Sequence, residues 1–152
     1  MDLGITGKRA VVAASTSGLG LATAVALADA GCTVVVNGRT EERLAAAVPK
    51  VAGSIPIAGD LSTREGAETF IDAAAEALGG IDILITNAGG PPPGNFAQTD
   101  ITAYAAALEM NLVSMAAMCK KVVPGMQAQH WGRIVAITST SVHTPMPNLI
   151  LS

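Results

Sequence analysis

Apolar residues recur along this chain in two rhythms: short unbroken runs, and longer stretches in which they fall three and four positions apart. The short runs, Arg9 to Ala14, Thr33 to Val36, Ser54 to Ala58, Ile81 to Ile85 and Arg133 to Thr138, predict five strands. The β-branched run Thr33-Val-Val-Val36 is what a strand covered on both faces requires. Helical spacing predicts a first helix running to about Ala30, where Gly31 supplies a stop. A second carries Leu44, Ala47 and Val48 behind a Thr40 cap, with Pro49 near its end. A third carries Ala67, Phe70, Ile71, Ala74 and Leu78, starts from a Ser62-Thr-Arg-Glu65 capping box and ends at Gly79-Gly80. The longest is predicted from about Ile101 to Val122, with Tyr104, Leu108, Leu112, Met115 and Cys119 on its stripe and Pro124-Gly125 disturbing its end. Ser139 to Ser152 reads as a loop.

Strand and helix alternate throughout, so right-handed crossovers build a doubly wound α/β fold, a parallel sheet with helices on both faces. The predicted strand order is 3-2-1-4-5, with ligands at the carboxyl edge where the order reverses. The special turns, 15–20, 37–39, 60–61, 87–90 and 139–143, all fall at that edge. In the first of them Ser15, Thr16 and Ser17 can cap a helix and donate hydroxyls to an anion, while Gly18 and Gly20 permit close approach. A tight strand-to-helix turn that binds nothing fits this stretch as well. Three prolines in Gly90-Pro-Pro-Pro-Gly94 forbid a hydrogen-bonded ladder and stiffen the loop after the fourth strand.

Composition narrows the function classes. A chain of 152 residues is one domain of ordinary size. Half its residues are hydrophobic and 14% are charged, against about 25% in typical domains, which leaves apolar surface for a partner subunit or for further chain. A net charge of −3 with no basic cluster argues against nucleic acid or an anionic membrane as partner. No apolar run reaches the ~18 residues of a membrane span, and the start, Met-Asp-Leu-Gly-Ile-Thr-Gly-Lys, lacks a secretory pattern, so a cytoplasmic location is expected. Cys32 and Cys119 have no metal-ligand spacing and read as buried free thiols; no metal site is expected.

Taken together, the turns resemble those of the short-chain dehydrogenase/reductase family, most closely its 3-oxoacyl-carrier-protein reductase-like members, over the whole chain. The resemblance implies a Rossmann-like domain over residues 1–152, the front part of a longer single-domain reductase. It also implies an oxidoreductase passing hydride between NADP(H) and a carbonyl or alcohol. Ala13-Ala14-Ser15-Thr16-Ser17-Gly18-Leu19-Gly20 is similar to the family's Thr-Gly-x-x-x-Gly-x-Gly, with Ala14 in place of its first glycine. That methyl is tolerable at negative φ and strained at positive φ. After the second strand no acid is present for ribose hydroxyls, whereas Arg39 offers a fork suited to a 2′-phosphate, which favours NADP over NAD; a solvated loop cation is the alternative. By resemblance Asp60 and Leu61 lie beside the adenine, and Asn87, Ala88 and Gly89 of Thr86-Asn-Ala-Gly beside the nicotinamide ribose. Asn111 corresponds to the Asn that holds a water in the proton relay, and Ser139 to the catalytic Ser that hydrogen-bonds the substrate carbonyl. For Asn111 a bond to a backbone carbonyl is an equally good physical reading.

The resemblance breaks at the end. The family's proton-donating Tyr, thirteen residues after the Ser, falls on Ser152, and the Lys four residues further has no position here. An aliphatic hydroxyl is a far poorer acid than a phenol. Either the chain is the front part of a longer reductase, or it is a divergent member with another donor, such as His143; Tyr104 is its only Tyr. Two functions stay open: an NADP-dependent reductase of a small-molecule carbonyl substrate, and a dinucleotide-binding or oligomerisation module without turnover. A homo-oligomer is expected, with Met110, Met115 and Met118 of the long helix at its surfaces.

Overall fold

The computed structural model describes residues 3–152. Five strands, β1 (Arg9–Val12), β2 (Thr33–Gly38), β3 (Ile55–Ala58), β4 (Ile83–Thr86) and β5 (Arg133–Ala136), form one parallel sheet in the expected order 3-2-1-4-5. The crossovers contain α1 (Gly18–Asp29), α2 (Glu41–Ala47), α3 (Arg64–Leu78), α4 (Ile101–Leu108) and α5 (Ser114–Ala128). A π-helical turn, Glu109–Val113, joins α4 to α5 in one helix of 28 residues.

Successive strand residues face opposite sides of a sheet, and that alternation divides the core in two. Val11, Ala13, Val35 and Leu84 meet Phe70 and Ile71 of α3 and Met118 and Val122 of α5. Ala10, Val12, Val34, Val36, Ile83 and Ile85 turn to the other face, against Ala24 of α1 and Leu44 of α2. The two outer strands differ from this pattern. All four β5 residues are exposed, Ile134 at 39% and Val135 at 52%, so this edge of the sheet is bare.

Three local expectations are corrected. The cap of α3 is Thr63, whose Oγ1 accepts the Gly66 N–H at 3.1 Å, and not Ser62, whose own N–H is drawn back to Asp60 Oδ1 at 3.0 Å. Glu65 does not reach back as a capping box requires; it pairs with Arg64, and Glu109 from the π turn accepts the Arg64 N–H at 2.8 Å instead. A tertiary contact thus does what the local motif was expected to do. The long helix also runs through Pro124 to Ala128, because Pro124 lies on its exposed side, where water can take the carbonyl the proline leaves without a donor. By length and composition this helix could cross a membrane, although no single run of its apolar residues is that long; 22% of its most apolar window is buried, the inner face being packed on α3.

At the amino edge of the sheet, opposite the special turns, one carboxylate gathers three strands. Asp82 accepts the Arg9 N–H at 2.8 Å, Arg9 Nε and Nη2 at 2.9 and 2.8 Å, and Gln129 Nε2 at 2.9 Å. Its backbone N–H donates to the Arg9 carbonyl and its carbonyl accepts from Arg133. The Arg9 hydrogen bonds, working against burial, hold the Asp82 carboxyl at about 2, below the ordinary 3.8. Because the folded-state value is depressed, the stabilisation is complete above the unfolded value and is lost as pH falls from about 4 to 2, amounting to roughly 2 kcal/mol. Thermal melts across that window should show the loss in the native chain, and Asp82→Asn should melt lower at pH 7 and lack this part of the acid dependence.

Candidate functional site

The carboxyl ends of β1 to β4 open onto a cleft of about 400 Å³. Its walls are Ala14 and Thr16 to Leu19 after β1, Asn37 and Gly38 at the end of β2 with Arg39 and Arg43 beyond it, Gly59 to Ser62 after β3, and Asn87 to Gly90 after β4, with Met110 from the π turn. Four turns distant in sequence therefore share one cavity. Of the predicted cofactor residues, Thr16, Ser17, Gly18, Leu19, Arg39, Asp60, Leu61, Asn87, Ala88 and Gly89 line it, and Ser15 and Gly20 do not.

The helix that opens onto the cleft differs at its start from the others that begin afresh after a loop. Thr40, Thr63 and Asp100 each accept a backbone N–H of their own helices α2, α3 and α4. Ser17, at the N-cap of α1, makes no such bond, and α1 has no acidic residue in its first turn. Gly18 there has φ +55 and no atom within 4 Å of the position a Cβ would take. The first-turn N–H groups and the positive end of the helix dipole are thus left to whatever enters the cleft, an arrangement suited to an anion.

Behind this turn the structure corrects the role given to Ser15. Its side chain is fully buried; the hydroxyl donates to the Val12 carbonyl at 2.7 Å and accepts the Asn37 N–H at 2.8 Å, so it is spent inside the protein. Asn37, which is buried at 1% exposure, completes the link. Its Oδ1 accepts the Ala14 N–H at 3.1 Å, and its Nδ2 donates to the carbonyls of Ile57 and Gly59 at 3.3 and 3.2 Å. One amide thereby ties together the ends of β1, β2 and β3. Sequence reasoning noted only that no acid stood at the end of β2; a polar residue closing a β-branched run was the available signal.

Gly20 also acts from behind the cleft wall. A Cβ there would lie 2.5 Å from the Ala14 carbonyl oxygen and 2.8 Å from Asn87 Nδ2, which itself donates to that carbonyl at 3.2 Å. Ala14 has φ 46, in the left-handed region. The methyl that replaces glycine at this point is therefore strained, at a cost of about 1 kcal/mol or slightly more.

The two residues assigned to chemistry lie outside the cleft lining. Asn111 sits in the π turn and donates Nδ2 to the Ala107 carbonyl at 3.1 Å, a bond within its own helix. Ser139 follows β5; its Oγ accepts the Ser141 N–H at 3.1 Å and lies 2.7 Å from Ser141 Oγ, which in turn is 3.3 Å from Ser152 Oγ. The last segment is held there by the proline loop, through Gly94 N–H to Asn148 carbonyl at 2.9 Å and Ile150 N–H to Gly94 carbonyl at 3.2 Å. His143 is exposed on the same loop. Cys32 is buried as expected and Cys119 half-buried, and burial pushes both thiols above their ordinary range.

Two substitutions check this geometry. Ala14→Gly should stabilise the fold by about 1 kcal/mol, read as a rise of a few degrees in melting temperature, because it relieves the left-handed strain. Asn37→Ala should cost about 3 kcal/mol or more in denaturant unfolding, since it strands one buried donor and two carbonyls at three strand ends.

The short chain dehydrogenase family model matches residues 8–151. An uncharacterized oxidoreductase of Bacillus subtilis, YvrD, is 33% identical over 153 residues, covering 99% of this chain and 58% of its own length. The crystal structure of L-sorbose reductase from Gluconobacter frateurii, complexed with NADPH and L-sorbose, superposes with a TM-score of 0.92 at 29% identity over 99% of this chain and 59% of that one. A 7α-hydroxysteroid dehydrogenase complexed with NADH and 7-oxo glycochenodeoxycholic acid superposes with a TM-score of 0.87 at 27% identity, over 95% and 58%. The chain thus spans less than two thirds of each of these relatives. With the strand order, the glycine turn and the family match in agreement along nearly its whole length, this chain belongs to the short-chain dehydrogenase/reductase family.

Proposed function

We propose that residues 1–152 form the nucleotide-binding part of a longer oxidoreductase that passes hydride between NADP(H) and a small-molecule carbonyl or alcohol. The observation that carries the reading is the uncapped, acid-free N-terminus of α1 at the wall of a cleft shared by four strand ends. A pyrophosphate fits there: the N–H groups near Gly18 and Leu19 and the hydroxyls of Thr16 and Ser17 supply donors, and Gly18 presents no side chain. Asp60 and Leu61 would border the adenine, and Asn87, Ala88 and Gly89 the nicotinamide ribose. Arg39 would take a 2′-phosphate, which makes NADP the preferred cofactor. The bound nucleotide supplies the hydride; the protein's part is positioning and electrostatics. Ser139 would donate a hydrogen bond to the substrate carbonyl, and Asn111, with its Nδ2 engaged, has its carbonyl oxygen for a water.

A second reading, a binding or oligomerisation module without turnover, is favoured by Ser152. Its hydroxyl is near Ser139, through Ser141, yet it is a weak acid. In either reading a second copy of the chain is the expected partner, but Met110, Met115 and Met118 do not form the surface it would cover, since Met118 is buried in the core, Met115 packs against it and Met110 lines the cleft. The exposed apolar residues of the long helix are Ile101, Leu108 and Leu112, at 78%, 55% and 59%. The bare edge of β5 would be covered by further chain.

Calorimetric titration should show NADPH bound more tightly than NADH, and Arg39→Ala should weaken NADPH by about tenfold or more while sparing NADH. On a full-length protein, NADPH oxidation with ketones separates the two readings. Turnover that falls about a hundredfold in Ser139→Ala, with NADPH binding intact, supports the enzyme. Binding without oxidation supports the module, and absence of binding by either nucleotide removes both.

A further inference from the structure

The hydroxyls of Ser139, Ser141 and Ser152 meet after β5. Ser139 Oγ accepts the Ser141 N–H at 3.1 Å and lies 2.7 Å from Ser141 Oγ, and Ser141 Oγ lies 3.3 Å from Ser152 Oγ. Ser141 is 8% exposed and is the one buried residue between positions 131 and 152, whereas Ser139 is half-buried and Ser152 exposed. A buried hydroxyl is thus enclosed between one at the end of β5 and one open to solvent. Ser152 is brought there by the proline loop, whose Gly94 bridges to Leu149 and bonds to Asn148 and Ile150.

Ser141 has a single hydroxyl proton for two neighbours, so it donates to one and accepts from the other. The 2.7 Å contact has the ordinary O–H···O length, and the 3.3 Å contact is the weaker of the two. With the Ser141 proton on Ser139, both lone pairs of Ser139 Oγ are filled, one by the main chain of Ser141 and one by its side chain. Ser139 is then left as a donor only, its own proton free for an acceptor outside the cluster. Ser152 can in turn donate to Ser141, and hydroxyls aligned in one direction strengthen one another.

We propose that Ser141 is a positioning residue for the reduction: it commits Ser139 to donation and resupplies the proton Ser139 gives up, so that Ser152, Ser141 and Ser139 form one path from solvent to the substrate oxygen. The proposal rests on the reductase reading above and deepens it at a residue the turn motifs did not single out. As the carbonyl carbon takes hydride from bound NADPH, the C–O π pair moves onto oxygen and forms the new O–H bond with the Ser139 proton. Ser139 takes the proton of Ser141, Ser141 takes that of Ser152, and Ser152 regains one from a solvent acid, hydronium or protonated buffer. The carbonyl is reduced to an alcohol, the nucleotide is oxidised to NADP, and one proton is drawn from solvent. When these shifts are concerted no serine has to stand as an alkoxide, so weak acids in series do what one alone does poorly.

In the 152-residue chain, Ser152→Ala should shift the backbone NMR signals of Ser141 and Ser139 and leave those of the β1–α1 turn in place. On the full-length protein, Ser141→Ala keeps the main-chain bond to Ser139 and removes only the hydroxyl. It should lower the single-turnover rate of NADPH oxidation by a ketone about tenfold or more while NADPH affinity stays within about twofold. Ser141→Thr, which keeps the hydroxyl, should recover most of the rate. Ser152→Ala should cost as much as Ser141→Ala, and the double variant no more than either, because the groups act in series. The proton inventory in mixed light and heavy water should be curved for the native protein and straight for Ser141→Ala. An unchanged rate in either single variant, or losses that multiply in the double variant, overturns the relay and leaves the reductase reading standing. A fall in NADPH affinity that matches the fall in rate makes Ser141 a structural support and also overturns it. If the native full-length protein binds NADPH and reduces no ketone, the reductase reading fails and the relay with it.

Discussion

The β1–α1 turn must deliver a run of backbone N–H groups to the cleft while its own polar groups stay satisfied below. Asn37 makes that possible. Its side chain accepts from Ala14 and donates to the carbonyls that follow and close β3, while its main chain exchanges hydrogen bonds with Ser15 on both sides. A buried amide so fully used is rigid, because each bond would leave a desolvated group if it opened. The walls after β1, β2 and β3 are therefore set by one side chain, which itself lies in the cleft wall with its polar atoms spent on the protein.

That constraint accounts for the strain at Ala14. With its N–H held by Asn37 and its carbonyl by Asn87, the residue is pinned from both sides, and the close approach of Gly20 fixes where the helix begins. The left-handed φ is the result. A glycine there would adopt it freely; alanine adopts it because the surrounding bonds outweigh about 1 kcal/mol of backbone strain. The consequence is an α1 whose first turn is open to an anion, in a protein whose helices after other strands carry their own caps.

The π turn in the long helix links the two ends of this arrangement. Its extra residue per turn sends Glu109 to the first N–H of α3 and Met110 to the cleft wall, while Asn111 bonds back to its own helix. Distortions of this kind recur at functional positions, and this one joins the packing of α3 on α5 to the wall of the cavity. The outer face of the same helix, and the edge of β5, carry apolar surface that none of the described residues covers.

Five strands, their order, the carboxyl-edge location of the special turns and most of the cleft lining were legible in the sequence. Hydrophobic period and turn chemistry are local properties, and right-handed crossovers turn them into topology. Several features depended on partners distant in the chain and could not be read locally. Ser15 became a buried strut because Asn37 sits across from it, Ser62 lost its cap to the Asp60 turn, and the long helix passed through Pro124 because that side faces water. Arg43 gained its place in the cleft from the direction of a helix, and the catalytic assignments at Ser139 and Asn111 came to rest outside the lining. The sequence determined which elements form and in what order they stack, since those choices are made within about fifteen residues at a time. Only the tertiary structure decided which polar groups were spent inside and which were left for a ligand, because that depends on which distant atoms come within hydrogen-bonding reach.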